Sequence, residues 1–151
     1  RLNAFERAEA ALSEALSEEP DHCSAAYNLC AGWMRRDGEE GERRAIPRLE
    51  QLHREHPDYT FAAIALAQFA AGVGEFQRAR DLLAPCFKVT RLHTSEATAL
   101  FAAQAQIALE ENDIGAAERA FDRLCKIADA VSASTIFEGT LGTLFEERMS
   151  A

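Results

Sequence analysis

Small and apolar residues recur along this chain at a fixed spacing, and the spacing predicts paired helices. The repeated unit is a small residue with apolar residues four and seven positions later, which places all three on one helix face. Successive copies lie 37, 34 and 38 residues apart. A period of this length is typical of helical repeat proteins, in which each repeat is a pair of helices. The four copies begin at Ala8, Ala45, Ala79 and Ala117.

Turn residues and prolines divide the repeats into helices. Five positions before the repeated small residue, three of the four copies have Gly or Asn, which best tolerate the left-handed backbone of a tight turn. Pro20 and Pro57 each stop a helix. In the second copy Gly38 forms the turn, and the segment from Asp37 to Arg44 is expected to be a long, charged loop. The four turn positions are Asn3, Glu40, Gly74 and Asn112.

The first helix of each predicted pair carries alanines where two helices must approach closely. Ala67 and Ala105 occupy this position in successive copies. Hydroxyl and carboxylate side chains that can accept bonds from free amides mark the helix starts. These starts are Asp21 or Ser24, Asp58 or Thr60, and Thr94 or Ser95. The pattern predicts helices over Phe5 to Ser17, over Phe61 to Gly72, and from about Ser132 to Arg148.

The segment Phe76-Gln77-Arg78-Ala79 after Gly74 resembles the turn and second-helix opening of the tetratricopeptide repeat, and the match runs from about Asn3 to Asp129. This resemblance implies an all-α, right-handed α-solenoid of antiparallel helix pairs. It would contain about three full repeats, a leading half repeat and a C-terminal capping helix, in one domain over residues 1–151. Because the sequence opens at Arg1, we expect it to be part of a longer protein.

The resemblance also implies a ligand surface, because proteins of this family bind partner segments along the concave face of their first helices. The family's charged clamp for a terminal carboxylate is missing from the two later copies, so a chaperone tail is not expected. An apolar groove edged by amides suits an extended segment or an amphipathic helix; alternatively, these residues pack against the last helix or a neighbouring repeat. The candidate groove residues are Asn28, Gly32, Arg35, Phe61, Ile64, Gln68, Ala71, Ala102, Gln106 and Leu109.

Charge narrows the class of partner. A formal net charge of -9 would repel phosphate backbones and anionic headgroups, so neither nucleic acid nor a membrane surface is an expected partner. No apolar run approaches the roughly 20 residues that span a bilayer, and no signal peptide opens the sequence. We therefore expect a cytoplasmic protein. Its hydrophobic content of 48% is sufficient for a buried core.

Chemistry-bearing residues are present without a catalytic pattern. Gly72-Val73-Gly74 lies between two helices and lacks a third glycine, so it is not a dinucleotide loop. No GxSxG motif occurs, and we predict neither enzyme activity nor a cofactor. The cysteines are expected to be reduced and free, with Cys30 and Cys86 buried. The four cysteines are Cys23, Cys30, Cys86 and Cys125.

Three hypotheses about function follow. The preferred one is a protein-interaction module that binds a partner peptide or helix in the groove. The second is a structural or self-associating scaffold, because the first helix would lack a hairpin partner and could form a homo-oligomer. The third is a metal-responsive domain, which the absence of CxxC and HExxH motifs argues against. Its ligands would come from His22, Cys23, Cys30, His53 and His56.

Overall fold

The computed structural model describes residues 2–127, and the predicted last helix, from about Ser132 to Arg148, lies outside the described residues. The described part is helical and contains no strand. Two compact units divide the chain, residues 1–66 and residues 67–151. Within residues 2–127, no helix combines the length and the apolar character needed to cross a membrane.

The helices follow one another in the expected order. The N-terminal unit contains α1 (Ala4–Glu18), α2 (Cys23–Glu55) and the start of α3 (Thr60–Gly72). The C-terminal unit contains the rest of α3, then α4 (Phe76–Leu83), a 3₁₀ turn (Cys86–Lys88), α5 (Thr94–Glu110) and α6 (Ile114–Ile127). The all-helical class is thus confirmed, whereas the right-handed solenoid remains a prediction.

Helix α1 begins at a capping box. The Asn3 side chain accepts a bond from the Glu6 amide at 3.0 Å, and the Asn3 amide donates to Glu6 Oε2 at 2.9 Å. Such a cap stabilises a helix by about 1 kcal/mol. The expectation of a left-handed turn at Asn3 was wrong, because its φ of -74° is that of an extended N-cap residue.

Helix α2 folds back on itself at Gly38, which has φ 55° and ψ -126°, a conformation that L side chains rarely adopt. A Cβ on Gly41 would collide with the Trp33 carbonyl. In a continuous helix those two residues would lie about 12 Å apart. The segments 23–37 and 39–55 therefore pass in backbone contact. The charged loop expected over Asp37 to Arg44 was wrong, since every residue of it except Gly38 is helical.

The two tight turns of the C-terminal unit share one hydrogen-bond pattern. Gly74 and Asn112 have φ of 82° and 62°, so the expected left-handed backbone is confirmed at both. The amide of the following residue bonds the carbonyl five positions back in each turn: Glu75 to Ala70 and Asp113 to Ala108, both at 2.8 Å. This bond is that of a Schellman helix end. The bond recurs after 38 residues, which is the spacing of the last two copies of the sequence repeat.

Alanines fill the interior of these helices as the spacing predicted. Ala67 and Ala105 are both fully buried, at 0% exposure. Side chains of this size let neighbouring helix backbones approach closely. Helices α5 and α6 pack against each other, with Phe101 and Ala102 of α5 against the buried Phe121 and Leu124 of α6.

Helix boundaries agree with the turn signals more closely than the helix caps do. Helices α1 and α2 end two residues before Pro20 and Pro57. Helices α3 and α5 start at Thr60 and Thr94, which were among the expected starts, but the N-cap of α5 is His93 and neither expected residue. At α2 too, the cap is neither of the expected residues. His22 caps this helix instead, because its Nδ1 accepts a bond from the Ala25 amide at 3.2 Å.

Two glycines of α2 provide a test of the fold-back. Gly41→Ala should lower the free energy of unfolding by about 3 kcal/mol, because its Cβ has no space against the Trp33 backbone. Gly32→Ala is the control: a Cβ at Gly32 meets nothing within 4 Å, so this variant should be about 1 kcal/mol more stable. Thermal unfolding followed by circular dichroism measures both. A Gly41→Ala midpoint equal to that of wild type would contradict the backbone contact.

Candidate functional site

An open cavity of about 260 Å³ lies between α1 and the first segment of α2. We call it the α1/α2 cavity. Its wall is mostly apolar, with Phe5 and Leu12 from α1 and Leu29 from α2. Three residues of the predicted groove also line it, namely Asn28, Gly32 and Arg35. The candidate positions of the first complete repeat are therefore brought together around one cavity.

The cavity exists because α1 covers α2 incompletely. Leu16 is the one α1 residue that is buried, whereas Phe5 is 42% exposed. The apolar surface that α1 buries is therefore limited. Polar contacts add to its attachment.

Glu9 is the centre of those polar contacts. Its carboxylate accepts bonds from Trp33 Nε1 at 2.8 Å, from Arg36 at 3.0 Å and from Arg44 at 3.3 Å. The bond from Trp33, followed by those from the two arginines, holds the pKa of Glu9 below its usual value. The carboxylate therefore stays ionised at neutral pH. These residues, together with Asp37, form what we call the Glu9 network.

The rest of the Glu9 network joins the two segments of α2. Arg36 bonds Asp37 through two nitrogens, at 2.7 and 2.8 Å, and this contact lowers the pKa of Asp37. The Arg44 guanidinium lies 4.2 Å from the centre of the Trp33 ring. A cation at this distance over an indole is a favourable contact. The network thus joins α1 to both segments of the folded-back helix.

Gly32 leaves part of the cavity without a side chain. A Cβ there would meet nothing within 4 Å, so close packing does not require glycine at this position. Its φ lies outside the left-handed region, so backbone conformation does not require glycine either. Glycine inside a helix costs about 1 kcal/mol relative to alanine. The residue therefore keeps a space open at a cost in stability.

Two exposed polar side chains border this space. Within residues 2–127, neither Arg35 nor Asn28 makes a side-chain hydrogen bond or ion pair. The other charged residues of the cavity, Glu9 and Arg36, pair with each other. A cation and an amide that have no side-chain partner in the described part of the chain thus flank the apolar opening.

The groove candidates of the later repeats have different surroundings. Gln68 donates to the Gln106 carbonyl oxygen at 3.3 Å, and Gln106 donates to Glu110 at 3.2 Å. The two amides that share a repeat position are therefore neighbours. Leu109 is half-buried beside this helix face. These amides are at least partly bonded to one another in the free chain.

Several groove candidates belong to the interior instead. Ile64 is 4% exposed and Ala71 3% exposed, so the expectation that they face a ligand was wrong. Ala102 packs against the cluster of Phe121 and Leu124. A repeat register places residues on a helix face, but the packing of other helices decides which face is covered.

Phe61 lies in an aromatic cluster within the N-terminal unit. Its ring centre is 5.6 Å from that of Tyr27 and 5.9 Å from that of Tyr59. These separations are typical of packed aromatic pairs. Burial raises the pKa of the Tyr27 hydroxyl above its ordinary value. Phe61 is half-buried there and contributes to packing.

The candidate metal ligands include residues that cap a helix or lie in the core. His22 uses Nδ1 to cap α2, and Cys30 is fully buried. Burial raises the pKa of Cys30 to about 11, which disfavours the thiolate that binds metals. Cys86 is buried as predicted. Within residues 2–127, no three His, Cys, Asp or Glu side chains are grouped closely enough to hold a metal ion.

Comparison with known proteins does not identify a relative of this chain. A scan against protein-family models and searches of curated proteins and of solved structures found no match to this chain. Function is therefore argued from the geometry of the site.

The Glu9 network makes the attachment of α1 dependent on pH. Glu9→Gln should lower the free energy of unfolding at neutral pH by about 1 kcal/mol. This is the contribution of a hydrogen bond to a charged group, reduced because Glu9 is partly exposed to solvent. Because the folded-state pKa of Glu9 lies below its ordinary value of 4.5, this stabilisation is present above pH 4.5 and is lost as the pH falls through the lower folded-state value.

Urea unfolding of wild type and variant over this pH range measures the difference. Trp33, the single tryptophan of the chain, supplies the fluorescence signal. Glu14→Gln is the control, because Glu14 is exposed on the same helix. A stability difference for Glu9→Gln that does not shrink in acid would contradict this role of the carboxylate.

Proposed function

We propose that this chain is a protein-interaction module that binds an apolar side chain of a partner segment in the α1/α2 cavity. The observation that carries the proposal is Gly32, which keeps the cavity open although neither packing nor backbone conformation requires glycine there. Sites that give up stability to keep a feature are commonly functional. Exposed aromatic surface at Phe5 extends the apolar contact beyond the cavity.

The size and lining of the cavity support this class of ligand. Apolar cavities of about 150 Å³ bind benzene, so a cavity of about 260 Å³ has room for a large aliphatic or aromatic side chain. Burying such a side chain contributes about 1.5–3 kcal/mol. This gain is modest for binding, so recognition also needs contacts around the opening. Asn28 and Arg35 line the cavity and supply polar groups for such contacts.

Self-association is the second candidate function, and exposed apolar residues in the first turn of α1 and just before it favour it. Leu2 is 56% exposed and Phe5 42% exposed. Apolar side chains at these positions could pack against the same helix of a second copy. Sedimentation of the purified protein over a range of concentrations tests for such a dimer.

Selection from a peptide library tests the proposed function. A phage-displayed library of helical peptides is selected on wild-type protein, and the enriched peptides are then measured against Gly32→Leu. A Cβ at Gly32 meets nothing within 4 Å, and leucine improves helix propensity, so the fold should be retained while binding falls by at least about tenfold.

Gly32→Leu must keep the thermal midpoint of wild type or exceed it for the comparison to count. Arg54→Glu serves as the control, because Arg54 is exposed in α2 and does not line the cavity. Enriched peptides that bind Gly32→Leu as tightly as wild type would show that the cavity is not the binding site.

A further inference from the structure

We infer that the partner segment is an amphipathic helix that carries an acidic side chain about one turn from its apolar anchor, and that Arg35 binds this acid. The inference rests on the proposed function, because it assigns a partner to the same cavity. It adds the chemical class of the partner and a specificity-determining residue.

Charge at the cavity opening supports an acidic partner. Of the charged side chains that line the cavity, Glu9 and Arg36 lie 3.0 Å apart and neutralise each other. Glu9 also accepts from Trp33 and Arg44, so its carboxylate is fully engaged. Arg35 is exposed and forms no ion pair with any residue in the described part of the chain. Among the described residues, the opening therefore presents one positive charge without an ion-pair partner.

Spacing along α2 supports a helical partner. Arg35 follows Gly32 by three residues, which is a rise of about 4.5 Å on the same side of the helix. Residues one turn apart on a partner helix are separated by about 5–6 Å, so an apolar anchor over Gly32 would bring an acid to Arg35. In an extended segment, side chains on one face are about 7 Å apart, which fits this interval less well.

The main chain of the cavity wall supports the same conclusion. An extended peptide usually binds through main-chain hydrogen bonds to an exposed strand edge. Here the wall consists of α1 and α2, whose internal amides and carbonyls bond within their own helices. Recognition therefore has to use side chains, as when an amphipathic helix lies against a groove. The exposed Asn28 amide, one turn before Gly32, can bond a polar side chain of that helix.

The negative charge of the whole chain limits how acidic this partner can be. At physiological salt, charges separated by more than about 8 Å are largely screened, so a direct contact with Arg35 outweighs the distant carboxylates. A segment with many acids would still be repelled by a net charge of -9. The structure thus favours one acid beside the anchor over an acidic run.

A matched set of labelled peptides tests the inference. A helical peptide enriched on wild type is remade with Glu, Gln or Lys at the position one turn from its apolar anchor. Fluorescence anisotropy should show the Glu peptide binding about tenfold more tightly than the Gln peptide, and the Lys peptide binding more weakly still. The charge-swapped protein, Arg35→Glu, should reverse this order and prefer the Lys peptide.

The control for general charge effects is Arg54→Glu, which makes the same change in net charge away from the cavity and should keep the wild-type order. Suppose that Gly32→Leu abolishes binding, but wild type binds the Glu, Gln and Lys peptides equally and Arg35→Glu shows no preference for Lys. The acidic partner is then refuted, whereas the cavity remains the binding site. If Gly32→Leu has no effect on any peptide, the proposed function itself fails. A wild-type dimer that Gly32→Leu dissociates would show that a second copy occupies the cavity, which also refutes the inference.

Discussion

The backbone contact between Gly41 and Trp33 is the constraint on which the N-terminal unit depends. It requires a helix to reverse at Gly38 and its two segments to pass without an intervening side chain. The reversal brings Arg44 over the Trp33 ring and close to Asp37. Helix α1 then docks against groups that the reversal has already positioned. A side chain at position 41 would therefore disturb the cavity wall as well as the helix packing.

Attachment of α1 through polar groups has a consequence for the cavity. An element with few buried apolar contacts opens locally at lower free energy than the core does. Helix α1 has one buried residue, whereas the segment of α2 behind it contributes Ala25, Ala26, Leu29 and Cys30 to the core. The cavity therefore has one firm wall, from α2, and one wall with few buried contacts, from α1. Such an arrangement lets the opening adjust to a partner side chain without disturbing the core.

The sequence predicted features that depend on local chemistry. Turns at Gly74 and Asn112, helix ends before Pro20 and Pro57, and buried alanines each follow from the preferences of one residue or one helix face. Features that depend on contacts between distant residues were not predicted. Two glycines at 38 and 41 do not reveal that the Trp33 backbone passes beside the second.

For the candidate site, too, the sequence predicted which residues share a helix face but not which of them distant residues cover. The repeat register placed Asn28, Gly32 and Arg35 on one face, and the structure brings these three together. The register could not show that Ile64 is covered, because burial is decided by elements far away in the sequence. Glu9 was one carboxylate among many on an exposed helix face. A single tryptophan in an acidic chain was the signal available, since an indole N–H that is partly buried usually finds an acceptor.

Helix α2 contains three glycines, and the structure requires glycine at only two of these positions. Gly38 is required by its positive φ, and Gly41 by the backbone that lies against it. Gly32 satisfies neither condition, and replacement by almost any residue would improve helix propensity. A helix that already contains two obligatory glycines has little reason, in terms of stability, to include a third. The space beside Gly32 is bordered by Arg35, which has no ion-pair partner within residues 2–127. The stability of the helix does not account for this glycine, whereas the proposed binding of a partner side chain in the space does.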